Sequence, residues 1–219
     1  MAVKTGLEVL MQADLYGITS EEHSLGRSNS EVVRQMLEAG IQVIQYREKE
    51  KKAREKYREC LTIRELTREA GAVFIVNDDV DIAILVGADG VHVGQDDLPP
   101  REVRRLVGDS MIVGLSTHSP GEALAAVKEG VDYIGVGPVF ATRTKKDVCD
   151  PVGLEYLEYV AQNTSLPFVA IGGIKEHNIG AVVRRGARCI AMVTEIVGAP
   201  DIPAKVRALR QAMQGARPV

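Results

Sequence analysis

Residues 85–97 read LVGADGVHVGQDD, and their reading decides the fold. The apolar residues up to Val86 fit the end of a helix, and Gly87 suits the left-handed position just beyond one. A short β-branched run follows, of the length of a buried parallel strand, and polar residues come where that strand would end. The same order recurs as EAGIQVIQYR (38–47), REAGAVFIVND (68–78), KEGVDYIGVGP (128–138) and RRGARCIAMVT (184–194). Adding DLYGITS (14–20), MIVGLSTH (111–118) and PFVAIGG (167–173) gives eight strand candidates. Amphipathic stretches such as REVRRLV (101–107), PGEALAAVKEG (120–130) and PAKVRALRQAM (203–213) lie between them.

Eight strand–helix units in 219 residues match the spacing of a compact α/β fold, the (β/α)8 TIM barrel. A doubly wound open sheet also alternates β and α, but no GxGxxG follows the first strand. No linker or low-complexity segment divides the chain. The expectation is a single barrel domain over residues 1–219, with short N- and C-terminal extensions.

Composition narrows the partners. A formal net charge of −3 gives no reason to expect nucleic acid or an anionic membrane. Trp is absent and aromatics are 4%, which argues against a stacking platform for single strands. Cys60, Cys149 and Cys189 are widely spaced with no CxxC pair, which speaks against a zinc site or disulfide framework and fits a reducing cytosol. No segment has the length of a secretory signal core or a membrane span. The chain reads as soluble and cytoplasmic, and a homo-oligomer is compatible with it.

In a barrel the active site lies where strands end, so the polar residues there matter most. After the second strand, side-chain alternation puts Gln45, Arg47 and Lys49 on one face, with Tyr46 and Glu48 on the other. An Arg fork and a Lys point charge converging on one place suit a polyanion. From Lys51 to Lys56 the charges read as a solvated helix face. Strand three ends in Asn77-Asp78-Asp79, and Asp96-Asp97 follow strand four. Carboxylates there suit Mg2+, a hard ion that shares its oxygen ligands with phosphate, although helix capping competes for one Asp of each pair. Strand five ends in Ser116-Thr117-His118, where a hydroxyl can bond a phosphate oxygen and His118 is an acid–base candidate or structural. The loop GPVFATRTKKD (137–147) offers Thr142, Thr144 and Lys145 as donors. Gly173 of the Gly172-Gly173 pair, with Val193 and Thr194, completes a second anion site from backbone amides and a hydroxyl.

In order, QYREK (45–49), VNDD (76–79), GADGVHVGQDD (87–97), GLSTH (114–118), GPVFATRTKKD (137–147) and AIGGI (170–174) resemble the thiamine-phosphate synthase family. The likeness runs from DLYGIT (14–19) to VTEI (193–196). It implies a transferase of thiamine biosynthesis that joins hydroxymethylpyrimidine pyrophosphate to a thiazole phosphate, releasing pyrophosphate through an Mg2+-assisted, dissociative displacement. By that resemblance Gln45 touches the pyrimidine, and Arg47, Lys49, Asn77, Ser116 and Lys145 hold its pyrophosphate. Asp78 and Asp97 ligate Mg2+. Thr142, Thr144, Gly173, Val193 and Thr194 bind the thiazole phosphate. Tyr46, Ala141, Thr194 and Glu195 depart from the commonest family pattern, and Glu195 adds a negative charge next to the thiazole phosphate site. A thiazole tautomerase of the same superfamily, using His118 for proton transfer, is one competing reading. A non-catalytic phosphate-binding barrel is another.

Overall fold

A computed structural model describes residues 5–142, 144 and 149–216. Strands β1 (Leu15–Ile18), β2 (Val43–Tyr46), β3 (Val73–Asn77), β4 (Gly90–Val93), β5 (Ile112–Thr117), β6 (Tyr133–Val136), β7 (Phe168–Ala170) and β8 (Cys189–Met192) pair in parallel in chain order. β8 returns to β1 through Leu15 with Ile190 and Gly17 with Met192, which closes the barrel. The eight expected strands are the eight observed. The glycines of the recurring pattern, Gly40, Gly71, Gly87, Gly130 and Gly186, all have positive φ, between 62° and 97°. Each ends a helical segment at the turn into a strand, where a side chain would be strained.

The helices are α1 (Gly6–Gln12), α2 (Asn29–Glu38), α3 (Ala53–Ala70), α4 (Val80–Val86), α5 (Pro100–Val107), α6 (Pro120–Ala126), α7 (Gly153–Asn163), α8 (Ile179–Arg184), α9 (Thr194–Val197) and α10 (Ile202–Gln214). Alternation along the strands divides the core in two. Ile44, Phe74, Val91, Val113 and Ile134 face the helix layer, while Tyr16, Val43, Ile75 and Tyr133 fill the barrel. Helix α1, begun by a capping box between Thr5 and Glu8, contributes Leu10 to the interior cluster. Gly6 of this helix lies next to Val73, Asp89 and Ile112 at the start of the strands, so α1 plugs that end of the barrel.

The same end carries three arginine–aspartate clamps. Asp14, Asp89 and Asp132 accept the amides of Leu15, Phe74 and Val113 at 2.7–2.8 Å. The same carboxylates take Arg210, Arg64 and Arg104 at 2.6–2.8 Å. Each clamp ties a helix to the start of a strand, opposite the end where barrel enzymes do chemistry.

Candidate active site

The alternation expected beyond β2 is present. Gln45 points inward and donates from Nε2 to Tyr16 Oη at 2.9 Å. Tyr46 points outward and donates to Glu59 of α3 at 2.7 Å. Glu48 also faces out, accepting from the Glu21 amide and Asn29 Nδ2. Lys49 reaches across to the end of β3 and pairs with Asp78 at 2.7 Å. The Arg47 amide is fixed by the buried Thr19 hydroxyl at 2.9 Å, and Arg47 Nε is buried with no partner among the described residues. Burial lowers the Arg47 guanidinium from its ordinary value, and the nearby Asp78 and Glu48 charges oppose that. A guanidinium stays charged through such a shift, so an anion placed there meets a desolvated cation.

The solvated face expected from Lys51 to Lys56 needs correcting at both ends. The Lys51 side chain is only 15% exposed and bonds Glu21 and Glu59. Burial works against its ammonium, but the bonds from Glu21 and Glu59 prevail and raise it above the ordinary lysine value. Lys56 is 13% exposed and pairs with Asp79 at 2.7 Å. Lys52, Arg54 and Glu55 are exposed. Partners contributed by Glu21, before α2, and by the β3 end cannot be seen in a helix-face pattern.

At the end of β3, Asp78 adopts φ 62°, a left-handed conformation that Asp tolerates better than most residues. Its amide bonds the His92 carbonyl of β4 at 2.9 Å, which sets the two strand ends side by side. Asp97 accepts from the Gly94 amide at 2.7 Å and so closes the turn after β4. Asn77 ends β3 opposite His92. Among the described residues no group of three or more His, Cys, Asp or Glu side chains could hold a metal by itself. Asp78 and Asp97 are nevertheless hard oxygen donors that follow the ends of adjacent strands, and Mg2+ is commonly held by one or two carboxylates with phosphate and water completing the shell. The donor chemistry therefore fits that ion.

Inside the barrel runs a polar chain that the sequence reading missed. From Gln45 it passes through Tyr16 and Tyr133, whose hydroxyls are 3.0 Å apart, then to His92 Nδ1 at 2.9 Å. It ends at Ser116, whose Oγ is 2.9 Å from His92 Nε2. Gly114 makes room for it: a Cβ there would lie 2.3 Å from Tyr133 Cζ and 2.5 Å from His92 Nδ1. The available signal was the period of two already applied to β2. Applied to β4, it places His92 opposite in phase to Val91 and Val93. His118 lies outside this chain, with Nδ1 against the Gly137 carbonyl. A carbonyl only accepts, so that nitrogen carries a proton.

On the far side, pairing of β6 and β7 continues past both strands through Val139 with Ile171 and Phe140 with Gly172. Gly173 (φ 63°) sits under this crossing, where a Cβ would lie 2.6 Å from the Ala141 carbonyl oxygen and 2.7 Å from that of Phe140. Thr142 and Thr144 join through their hydroxyls at 3.0 Å, whereas Lys145 lies outside the described residues. Val193 precedes α9, and Thr194 opens it. Glu195, the added negative charge, is held by Lys175 at 3.3 Å and Lys205 at 3.4 Å. Burial would raise its carboxyl, but Lys175, the Glu176 amide and Lys205 hold it below the usual carboxylate range.

The sequence profile described as thiamine monophosphate synthase matches residues 15–196, which spans all eight strands. The chain belongs to the thiamine monophosphate synthase family. It is accordingly a transferase. Among this synthase family's members, the thiamine-phosphate synthase of Pelotomaculum thermopropionicum is 74% identical, over 96% of each chain. That of Lawsonia intracellularis is 57% identical over 93% of this chain and 94% of its own. The structure of thiamine phosphate pyrophosphorylase from Pyrococcus furiosus superposes with a TM-score of 0.86 at 37% identity, covering 95% of this chain and 100% of that one. Among the described residues no helix is long and apolar enough to cross a membrane.

Proposed function

We propose that this family member joins hydroxymethylpyrimidine pyrophosphate to a thiazole phosphate, giving thiamine phosphate and pyrophosphate. The observation that carries the reading is Arg47, a half-buried side chain whose buried Nε has no partner among the described residues, close to the Asp78 of the Lys49–Asp78 pair. An anion arriving there gains both cations. Lys49 need only exchange Asp78 for a phosphate oxygen, and Asp78 becomes available for a hard cation.

In this reading Arg47 and Lys49 bind and neutralise the departing pyrophosphate, with Asn77 and Ser116 as neutral polar contacts and Lys145 as a further cation. Gln45 orients the pyrimidine. Asp78 and Asp97 hold Mg2+, which supplies Lewis-acid stabilisation of the leaving group when bound. Thr142, Thr144, Gly173, Val193 and Thr194 hold the thiazole phosphate so that the thiazole nitrogen faces the pyrimidine methylene. Pyrophosphate departs first, and the nitrogen attacks the pyrimidine-stabilised cation left behind. The protein supplies position, charge and shelter from water. We place the reaction in the cytoplasm, where the free thiols of Cys60, Cys149 and Cys189 suit a reducing medium.

The test is a coupled assay of pyrophosphate release with both substrates and Mg2+. Release should require all three components. Release from the pyrimidine substrate alone at the same rate, or none from folded protein, would overturn the reading.

A further inference from the structure

Gln45, Tyr16, Tyr133, His92 and Ser116 come from five strands, β2, β1, β6, β4 and β5, and their polar atoms meet in series across the barrel interior. Tyr16, Tyr133, Gln45 and His92 are all at most 9% exposed. Burial raises both phenols well above the ordinary tyrosine value, so each keeps its single proton. A buried proton without an acceptor is costly, and one proton cannot serve two acceptors at full strength.

These constraints give the series a direction. The Gln45 amide nitrogen has no lone pair to offer, so it donates to Tyr16 Oη. Tyr16 has then accepted, and among the described residues its own proton finds an acceptor only at Tyr133 Oη. Tyr133 passes its proton to His92 Nδ1. With Nδ1 accepting, a neutral His92 carries its proton on Nε2 and donates it to Ser116 Oγ. Running the series backward from His92 would leave the Tyr16 proton without an acceptor.

We propose that Tyr16, Tyr133 and His92 are positioning residues: a directed hydrogen-bond chain begun by the Gln45 amide holds His92 as the Nε2–H tautomer and frees the Ser116 hydroxyl proton to donate to the substrate pyrophosphate. The orienting role rests on the function proposed above; the tautomer does not. Gln45, assigned there to the pyrimidine, also sets the donor state of Ser116 on the opposite side of the barrel. Pyrimidine recognition and pyrophosphate binding are thus joined by one chain of protons. Without it Ser116 could spend its proton on an unprotonated Nε2 and present only lone pairs to an anion.

The test reads the ring itself. In 15N-labelled, substrate-free protein at about pH 8, above the ordinary imidazole range, long-range 1H–15N correlations report both ring nitrogens of His92. The signals are assigned by their loss in His92→Gln. A single protonated-type Nε2 with an unprotonated-type Nδ1 is expected; the reverse tautomer, a mixture or a doubly protonated ring overturns the proposal. Tyr133→Phe, which keeps the ring and removes the hydroxyl, should lose the single-tautomer pattern, and its persistence would show that the chain does not set it. In steady-state assays Tyr133→Phe should raise KM for the pyrophosphate-bearing substrate several-fold and leave KM for the thiazole phosphate unchanged. Any other pattern overturns the orienting role. Because the spectrum is recorded without substrate, its failure is distinct from a failure of pyrophosphate release by the wild-type protein.

Discussion

Replacing Gly114 with alanine adds one methyl group at the point where the interior chain crosses β5. That methyl would lie 2.3 and 2.4 Å from Tyr133 Cζ and Cε1 and 2.5 Å from His92 Nδ1. The Tyr133 ring is fully buried and tethered by hydrogen bonds to Tyr16 at 3.0 Å and His92 at 2.9 Å, so it cannot yield without breaking a bond. Overpacking of this kind costs about 1–3 kcal/mol. Leaving a buried polar group unpaired adds about 1–3 kcal/mol. A combined loss of about 2–6 kcal/mol corresponds to a Tm lowered by about 4–24 °C in a domain of this size. Gly135→Ala is the control, because its nearest contact is His92 Cε1 at an ordinary 3.4 Å, and it should cost less than about 1 kcal/mol. Urea titrations followed by circular dichroism measure both, with a lower midpoint and an unchanged slope expected for Gly114→Ala. If the two alanines cost the same, Tyr133 and His92 do not occupy the position on which the interior chain depends.

Three further outcomes follow from the same geometry. Asp97→Asn keeps an acceptor for the Gly94 amide but removes a charge; it should lower the Mg2+-dependent rate at least about tenfold, weaken thiazole phosphate binding far less, and shift stability by less than about 1 kcal/mol. Equal losses in rate and thiazole phosphate binding would contradict two separate anion sites. Glu195 has a folded-state pKa below its unfolded value, so its stabilisation is present above the ordinary carboxylate range and is lost as pH falls through the lowered value. Glu195→Gln should therefore be less stable than wild type near neutrality and converge with it in acid, and parallel stability curves down to low pH would refute the pairing. Lys51 has a raised folded-state pKa, so its contribution is whole below the ordinary lysine value and is lost as pH rises through the raised one. Lys51→Met should lower the urea midpoint at pH 7 by an amount equivalent to about 1–3 kcal/mol, because Glu59 loses its cation and keeps only the neutral donors Tyr46 Oη and Asn29 Nδ2 among the described residues. An unchanged midpoint would restore the solvated reading of that residue.

Much of the candidate site was legible because strand ends and periodicity are local. Gln45 inward and Tyr46 outward followed from alternation, and the Lys49–Asp78 pair joins two residues singled out independently at the ends of β2 and β3. What escaped were contacts whose partners lie far apart in the chain. Lys51 looked solvated because Glu21 is thirty residues earlier. His92 looked like an ordinary strand residue because Tyr133 is forty-one residues later. The short helix α1 escaped too, since its apolar residues gain meaning only from the open barrel end they cover.

The sequence by itself determined the barrel: eight β-branched runs, glycines at the helix ends of five of them, and polar residues at the strand ends are properties of neighbouring positions, which backbone sterics and side-chain alternation convert directly into strands, turns and faces. Only the tertiary structure decided which inward-facing residues touch. Closing eight strands into a ring brings β1, β2, β4, β5 and β6 around a shared interior, and that closure alone makes one hydrogen-bonded series of Gln45, Tyr16, Tyr133, His92 and Ser116. Hydrogen bonding depends on distance in space, and a linear pattern carries no measure of it.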